Sequence, residues 1–168
     1  PRFRMLFADR AHHALSNDGA LTSAKSKGRL ERLVNEISNA INGESARWGG
    51  IRRTPSYSFK NDWLPEINKT INFLDKRNLF LLDQLRAVNL FPNIDPPILS
   101  QNGGQVNFNY ELSIYADKGD IYYNLEGIDP RDSTGSISLN AVKYNSNIKP
   151  KIKKTGYFCG RTYDALNS

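Results

Sequence analysis

The first half of the chain has the hydrophobic spacing of α-helices. Over Arg2–Leu15, apolar residues recur every three or four positions, which predicts an amphipathic helix that ends at the polar residues 16–19. The spacing resumes after Thr22, and either Thr22 or Ser23 can accept a hydrogen bond from the exposed amides of a first turn. We therefore predict a second helix from this cap to Gly43, since glycine favours a helix end.

Two more helices are predicted before residue 91. Asp62 is a good N-cap, and Pro65 is tolerated in the first turn because its missing amide would have no intrahelical partner there. Asp75 is expected to cap a fourth helix, so the first half forms an antiparallel cluster of four helices. Six apolar residues are expected to form its core: Phe3, Phe7, Leu33, Ile37, Leu82 and Leu85.

The hydrophobic period changes after a proline-rich segment. Residues 92–97 contain three prolines, which cannot continue a helix and favour an extended linker. Beyond them, apolar and polar residues alternate, which predicts strands near residues 105–108, 110–116, 120–126, 137–143 and 147–153.

The chain is thus predicted to be an α+β protein of two modules. An N-terminal helical bundle spans residues 1–91, and a small immunoglobulin-like antiparallel β-sandwich spans residues 98–168. The predicted core of the sandwich is Ile114, Ile121, Tyr123 and Leu125.

Composition narrows the classes of function. Hydrophobic residues make up 39% of the 168 positions, as in a folded protein, and no apolar stretch approaches the roughly 20 residues that span a bilayer. The single cysteine, Cys159, excludes an internal disulfide and a cysteine-rich zinc site, and we expect it to be partly buried. His12 and His13 are adjacent, so on a helix they diverge and cannot hold one ion together. We expect no membrane span, no metal site and no cofactor.

The net charge of +6 is compatible with a polyanionic partner but does not require one. Five lysines of the second half lie close together in sequence: Lys143, Lys149, Lys151, Lys153 and Lys154. A run of like charge is usually a solvated surface, and lysines that alternate with Ile148 and Ile152 also protect an edge strand from pairing with other chains. We therefore expect no nucleic-acid partner; binding that falls steeply with added salt would reveal one.

Four residues of the second half are candidates for ligand binding. Tyr115 and Tyr122 both occupy the polar phase of their strands, where tyrosine rings can stack on sugars or contact another protein. Asp129 and Arg131 flank Pro130, so the pair could recognise a polar ligand. Alternatively, these two residues hold the turn by local hydrogen bonds and an ion pair. No catalytic residue is predicted.

The segment from Gly119 to Arg131 resembles a known β-module. It reads Gly-Asp-Ile-Tyr-Tyr-Asn-Leu-Glu-Gly-Ile-Asp-Pro-Arg. This is similar to the pattern Gly-x-Ile-Tyr-Tyr-Thr-Leu-Asp-Gly-x-Asp-Pro-Arg of chitobiase/β-hexosaminidase C-terminal, or fibronectin-type-III-associated, β-sandwich modules, with Asn124 and Glu126 replacing Thr and Asp. The closing Trp-Ser motif of such modules does not appear before Ser168, so we expect the sandwich to lack its last strand.

The first half resembles the end of CotH-type kinase-like domains of large secreted or surface bacterial proteins. The resemblance lies in Pro1–Arg10, Ala20–Thr22, Glu44–Gly49, Asp62–Pro65 and Gln84–Arg86. In such proteins the same kind of β-module follows. The family implies protein phosphorylation with ATP, a divalent metal and catalytic aspartates, but those motifs lie upstream of this tail. Because this sequence has no glycine-rich phosphate loop, strand lysine or His-Arg-Asp set, no catalytic residue is carried over.

These observations predict a non-catalytic C-terminal part of a larger exported bacterial protein, extracellular or at the cell surface. The chain begins with Pro1 instead of Met, and we expect it to be an excised piece. The expected partners are the upstream domains of the parent protein and, for the sandwich, cell-surface polysaccharide or protein. Two alternatives stay open: a carbohydrate-binding accessory module, and the non-catalytic portion of an ATP-dependent atypical protein kinase.

Overall fold

The computed structural model describes residues 2–51 and 53–165 and shows a mixed α+β protein. Contacts within the chain divide it into two compact units. The helical unit spans Leu6–Phe91. The β unit begins at Pro92 and also includes Met5 and the residues before it. Among the described residues, no helix is both long enough and apolar enough to cross a membrane.

Three α-helices and one π-helical segment are described between residues 2 and 87. Helix α1 spans Arg2–Leu15 as predicted, α2 spans Ser23–Trp48, the π-helical segment spans Phe59–Trp63, and α3 spans Leu64–Ala87. The predicted cap at Thr22 is confirmed, because its side-chain oxygen accepts a hydrogen bond from the Lys25 amide at 3.4 Å.

Two predicted helix boundaries are wrong. Helix α2 continues through Gly43, since an interior glycine costs only about 1 kcal/mol and the stripe of half-buried residues continues to Ile41 and Ser45. Helix α3 is not interrupted at Asp75. The carboxylate of Asp75 pairs with Lys27 of α2, and its backbone carbonyl accepts a hydrogen bond from the Ser23 hydroxyl at 3.2 Å. Two long packed helices therefore replace the three shorter ones that the sequence predicts.

Asp62 lies inside the first turn of its helix and is not the N-cap that the sequence predicts. The cap is Ser58, whose side-chain oxygen accepts a hydrogen bond from the Asn61 amide at 3.1 Å. The Asp62 carboxylate in turn accepts a hydrogen bond from the Ser58 amide at 2.8 Å, which resembles a capping box with the acidic residue one position later. This hydrogen bond is the main reason that the pKa of Asp62 is lowered.

None of the six residues predicted as the helical core is fully buried. Three are exposed by nearly half or more of their surface, namely Phe3, Leu33 and Ile37, and three are half-buried, namely Phe7, Leu82 and Leu85. The buried apolar residues are instead Ala8, Leu15 and Phe91. For the four predicted core residues on α2 and α3, the physical reason is that these helices pack as a pair, and each covers only one face of the other.

Seven short strands, among the described residues, form three small antiparallel sheets in the β unit. Strand β1 (Ile98–Leu99) pairs with β3 (Ile114–Tyr115), and β2 (Tyr110–Glu111) pairs with β6 (Lys151–Ile152). In the third sheet, β4 (Asp120–Asn124) lies between β5 (Val142–Lys143) and β7 (Cys159–Tyr163).

The core of the β unit is formed by Leu112, Ile114 and Ile121, none more than 9% exposed. Burial of Ile114 and Ile121 confirms that part of the predicted core. Tyr123 packs against the cluster but is only half-buried, and Leu125 is half-buried beyond the end of β4.

The strand predictions are partly wrong. No strand is described at 105–108, and the predicted strand 110–116 is divided because β2 and β3 pair with different partners. Within the predicted strands 137–143 and 147–153, only two short strands form, Val142–Lys143 (β5) and Lys151–Ile152 (β6). The alternation pattern does not predict β7, whose sequence is Cys-Gly-Arg-Thr-Tyr, yet this strand pairs with the whole of β4.

Candidate functional site

The outer face of the three-stranded sheet carries Tyr122, one of the four predicted binding residues. Tyr122 on β4 lies opposite Lys143 on β5 and Arg161 on β7. Its neighbour Ile121 belongs to the buried core, and successive side chains of a strand point to opposite faces. Tyr122 therefore faces away from the core, where its ring meets that of Tyr163 edge-on at 6.1 Å between centroids.

Asp129 is bound by Arg161. The guanidinium donates two hydrogen bonds, Nε to Oδ1 at 2.5 Å and Nη2 to Oδ2 at 2.6 Å, and the Arg131 amide donates to Oδ1 at 2.9 Å. Desolvation alone would raise the pKa of Asp129, but these hydrogen bonds outweigh it and the pKa is lowered. A carboxylate held in this way is a structural anchor between its turn and β7, and it is a poor proton acceptor.

Arg131 lines an open depression of about 520 Å³ in the β unit. The other lining residues are Thr134, Gly135, Ser136, Ile137 and Tyr163. Within residues 2–51 and 53–165, the Arg131 guanidinium has no hydrogen bond or ion pair of its own, although its charge helps to lower the pKa of Asp129. Arg131 is therefore the charged lining residue that could meet a ligand.

The loop beside Arg131 is organised by Asp132. The Asp132 carboxylate accepts hydrogen bonds from the amides of Thr134, Gly135 and Ser136 at 2.8, 2.9 and 2.9 Å. It also accepts one from the Thr134 hydroxyl at 2.6 Å, which is the main reason that its pKa is lowered. Gly135 has a φ of +102°, and a Cβ there would lie 2.8 Å from Nη2 of Arg131. The loop thus places the guanidinium directly over Gly135.

Tyr115 lies apart from the other three predicted residues. It is in the β1–β3 sheet, where its hydroxyl donates a hydrogen bond to Asp117 at 3.0 Å, and this contact raises the pKa of Tyr115. Its neighbour Ile114 points into the same core as Ile121, so Tyr115 and Tyr122 project from two different sheets.

The structure therefore gathers Tyr122, Asp129 and Arg131, and it adds two residues that sequence reasoning missed, Arg161 and Tyr163. Both lie on β7, and Cys159–Tyr163 has no apolar alternation that would reveal a strand.

The basic segment of the second half is partly neutralised by its neighbours. Lys151 pairs with Glu111, and Lys154 pairs with Glu126, each at 3.2 Å. Lys143 pairs with Asp120 at 2.8 Å. All of these side chains are at least half exposed, so the pairs add little stability, but they reduce the positive field that a polyanion would meet.

No group of three or more histidine, cysteine, aspartate or glutamate side chains that could hold a metal ion lies in the described part of the chain. The half-buried His12 contacts the Ser16 hydroxyl at 3.0 Å, and burial is the main reason that its pKa is lowered. Cys159 is half-buried, as predicted.

No protein-family model, curated protein or solved structure matches this chain significantly.

Proposed function

We propose that this chain is a non-catalytic contact module of a larger exported bacterial protein. In this proposal the β unit is an immunoglobulin-like sandwich that acts as a spacer or surface-contact module, and the helical unit packs against an upstream domain of the same protein. The proposal is based on the two sequence resemblances, and the exposed surface of α3 supports the contact with an upstream domain.

Two exposed phenylalanines on α3 are the main support. Phe73 and Phe80 are 58% and 59% exposed. They are seven residues apart, about two helical turns, so they share one face of α3. The half-buried residues of α3 lie on another side of the helix, for example Ile71 and Leu82. Large apolar side chains that share an exposed face are typical of surfaces that contact another protein.

The test is association in trans with the polypeptide encoded upstream of this chain in the same reading frame. Replacing both Phe73 and Phe80 with Asp is expected to raise the Kd roughly tenfold or more, because exposed aromatic anchors carry much of the energy of an interface. Calorimetry measures the Kd, and far-UV circular dichroism checks that the helices persist.

Phe108→Asp is the matched control, since Phe108 is 74% exposed and lies in the β unit. Equal affinity of the double variant and the parent chain would contradict docking through α3. Absence of any association, with both proteins folded, would contradict it as well.

Carbohydrate binding is the second candidate function. The observation that favours it is the depression beside Arg131, which offers a guanidinium, two hydroxyl-bearing side chains and the ring of Tyr163 on one surface. Aromatic rings and a few convergent polar groups are what small-molecule sites use for affinity and orientation.

The remaining alternative is that the chain is the non-catalytic portion of an atypical kinase. It differs from the main proposal only in the activity of the parent protein. A longer protein that phosphorylates protein with ATP and Mg²⁺ would favour this alternative. ATP turnover by residues 1–168 alone would contradict both readings.

A further inference from the structure

We propose that the depression beside Arg131 binds a carboxylate-bearing sugar of an acidic polysaccharide. This inference rests on the carbohydrate-binding candidate above and names its ligand class. The sequence suggests that Asp129 and Arg131 act as one pair that could recognise a polar ligand. In the structure these two side chains have different surroundings. Arg161 binds the Asp129 carboxylate, whereas the Arg131 guanidinium lines the depression.

The charge of the lining favours an anion. Arg131 is the charged residue among the lining side chains, and the others are Thr134, Gly135, Ser136, Ile137 and Tyr163. The nearby Asp132 carboxylate is held by its own loop, where Oδ1 accepts hydrogen bonds from three amides and a hydroxyl. A guanidinium presents a planar fork of donors that matches a carboxylate in two parallel hydrogen bonds.

The rest of the lining favours a sugar as the carrier of that carboxylate. The Thr134 hydroxyl donates its proton to Asp132 at 2.6 Å, so in its 3.2 Å contact with Ser136 it accepts the Ser136 proton, and the Ser136 oxygen keeps lone pairs that can accept a hydrogen bond from a sugar hydroxyl. Tyr163 and Ile137 add an aromatic ring and an aliphatic side chain that can cover the apolar face of a sugar ring. An extended acidic peptide would use the guanidinium but would not need this combination.

The loop is built to hold this geometry before a ligand arrives. Its ends are joined by the bridge between Arg131 and Ile137, and Asp132 ties the turn between them. A preorganised loop backbone does not need to be ordered on binding, which improves affinity for a small ligand.

Binding of the full chain to oligogalacturonate, measured by calorimetry, tests the inference. Arg131→Gln is expected to weaken this binding roughly 10- to 100-fold, since it removes hydrogen bonds to a charged group. Arg131→Lys keeps the charge but loses the fork, so its affinity should fall between those of the parent chain and Arg131→Gln. Lys149→Gln is the matched control, because Lys149 is exposed and has no ion pair among the described residues.

Comparison of two ligands distinguishes recognition of the carboxylate from carbohydrate binding in general. Fully methyl-esterified oligogalacturonate keeps the sugar rings but loses the charge, and it should bind much more weakly than the acid. Binding of the ester as tight as that of the acid would overturn the carboxylate inference and leave carbohydrate binding intact. Absence of binding to either sugar would overturn both.

Two further outcomes would also overturn the inference. One is oligoglutamate binding as tightly as oligogalacturonate, which would indicate a peptide site. The other is an equal loss of affinity in Lys149→Gln and Arg131→Gln, which would indicate attraction to the net charge of the chain. The thermal midpoint of each variant shows whether the β unit is still folded.

Discussion

Leu112→Ala is expected to lower the free energy of unfolding of the β unit by about 2–4 kcal/mol. Leu112 is 4% exposed and lies in one cluster with Ile114 and Ile121. Truncation removes buried methyl groups and leaves a cavity that neighbours such as Leu99 and Tyr110 can fill only in part. In a unit of short strands this cluster is the main source of hydrophobic stabilisation.

Native-state hydrogen exchange of the β4 amides measures this change within the β unit, whatever the stability of the helical unit. Leu139→Ala is the matched control, since the Leu139 side chain is fully exposed and the same truncation there should change the stability by less than about 0.5 kcal/mol. Similar effects at the two positions would mean that Leu112 is not part of a packed core.

Gly119→Ala is expected to be comparably destabilising, by about 2–4 kcal/mol, for a different reason. Gly119 has a φ of +76°, which is unfavourable for alanine. Its Cβ would also lie 2.4 Å from the backbone oxygen of Tyr163 and 3.2 Å from Cδ1 of Ile94. Because Asp120 pairs with Tyr163 at the start of β4, the clash would push β4 away from β7.

Gly103→Ala separates the clash from the backbone strain. Gly103 also has a positive φ, +111°, but a Cβ there would meet nothing within 4 Å. It should therefore show only the conformational cost, about 1 kcal/mol. Exchange rates of the β4 and β7 amides compare the two variants. Equal losses at the two glycines would show that the close approach of β4 and β7 at Gly119 contributes nothing.

Local chemistry explains which parts of the fold the sequence could predict. The bounds of α1 follow from its periodicity and the polar residues after Leu15, and the cap of α2 follows from the hydroxyl of Thr22. The strand β4 follows from the alternation of Ile121 and Tyr123 with polar neighbours. In each case the signal lies within a few residues of the element that it specifies.

The parts of the fold that the sequence did not predict depend on tertiary contacts. Glycine at 43 and aspartate at 75 are common helix-end residues, but packing between α2 and α3 outweighs their weak local preferences. Strand β7 lacks a pattern of its own and is specified by pairing with β4. Predictions of burial failed in the helical unit because periodicity shows which face is apolar but not whether another element covers it.

In the candidate site, too, local sequence identifies some residues, whereas their roles depend on distant parts of the chain. Asp129 and Arg131 could be selected from the sequence because they flank a proline in a turn. Their different roles could not, since the separation depends on Arg161, which lies 32 positions after Asp129. The aromatic partner of Tyr122, Tyr163, is likewise supplied by β7.

Hydroxyl-radical footprinting is the most direct test of the claim that α3 carries a contact surface. Labelling of Phe73 and Phe80 would be compared between this chain alone and the full-length product of its gene, with Phe108 as an exposed reference. The account predicts that both phenylalanines on α3 are labelled in the chain alone and lose most of that labelling in the full-length protein. Unchanged labelling of Phe73 and Phe80 in the two proteins would contradict it.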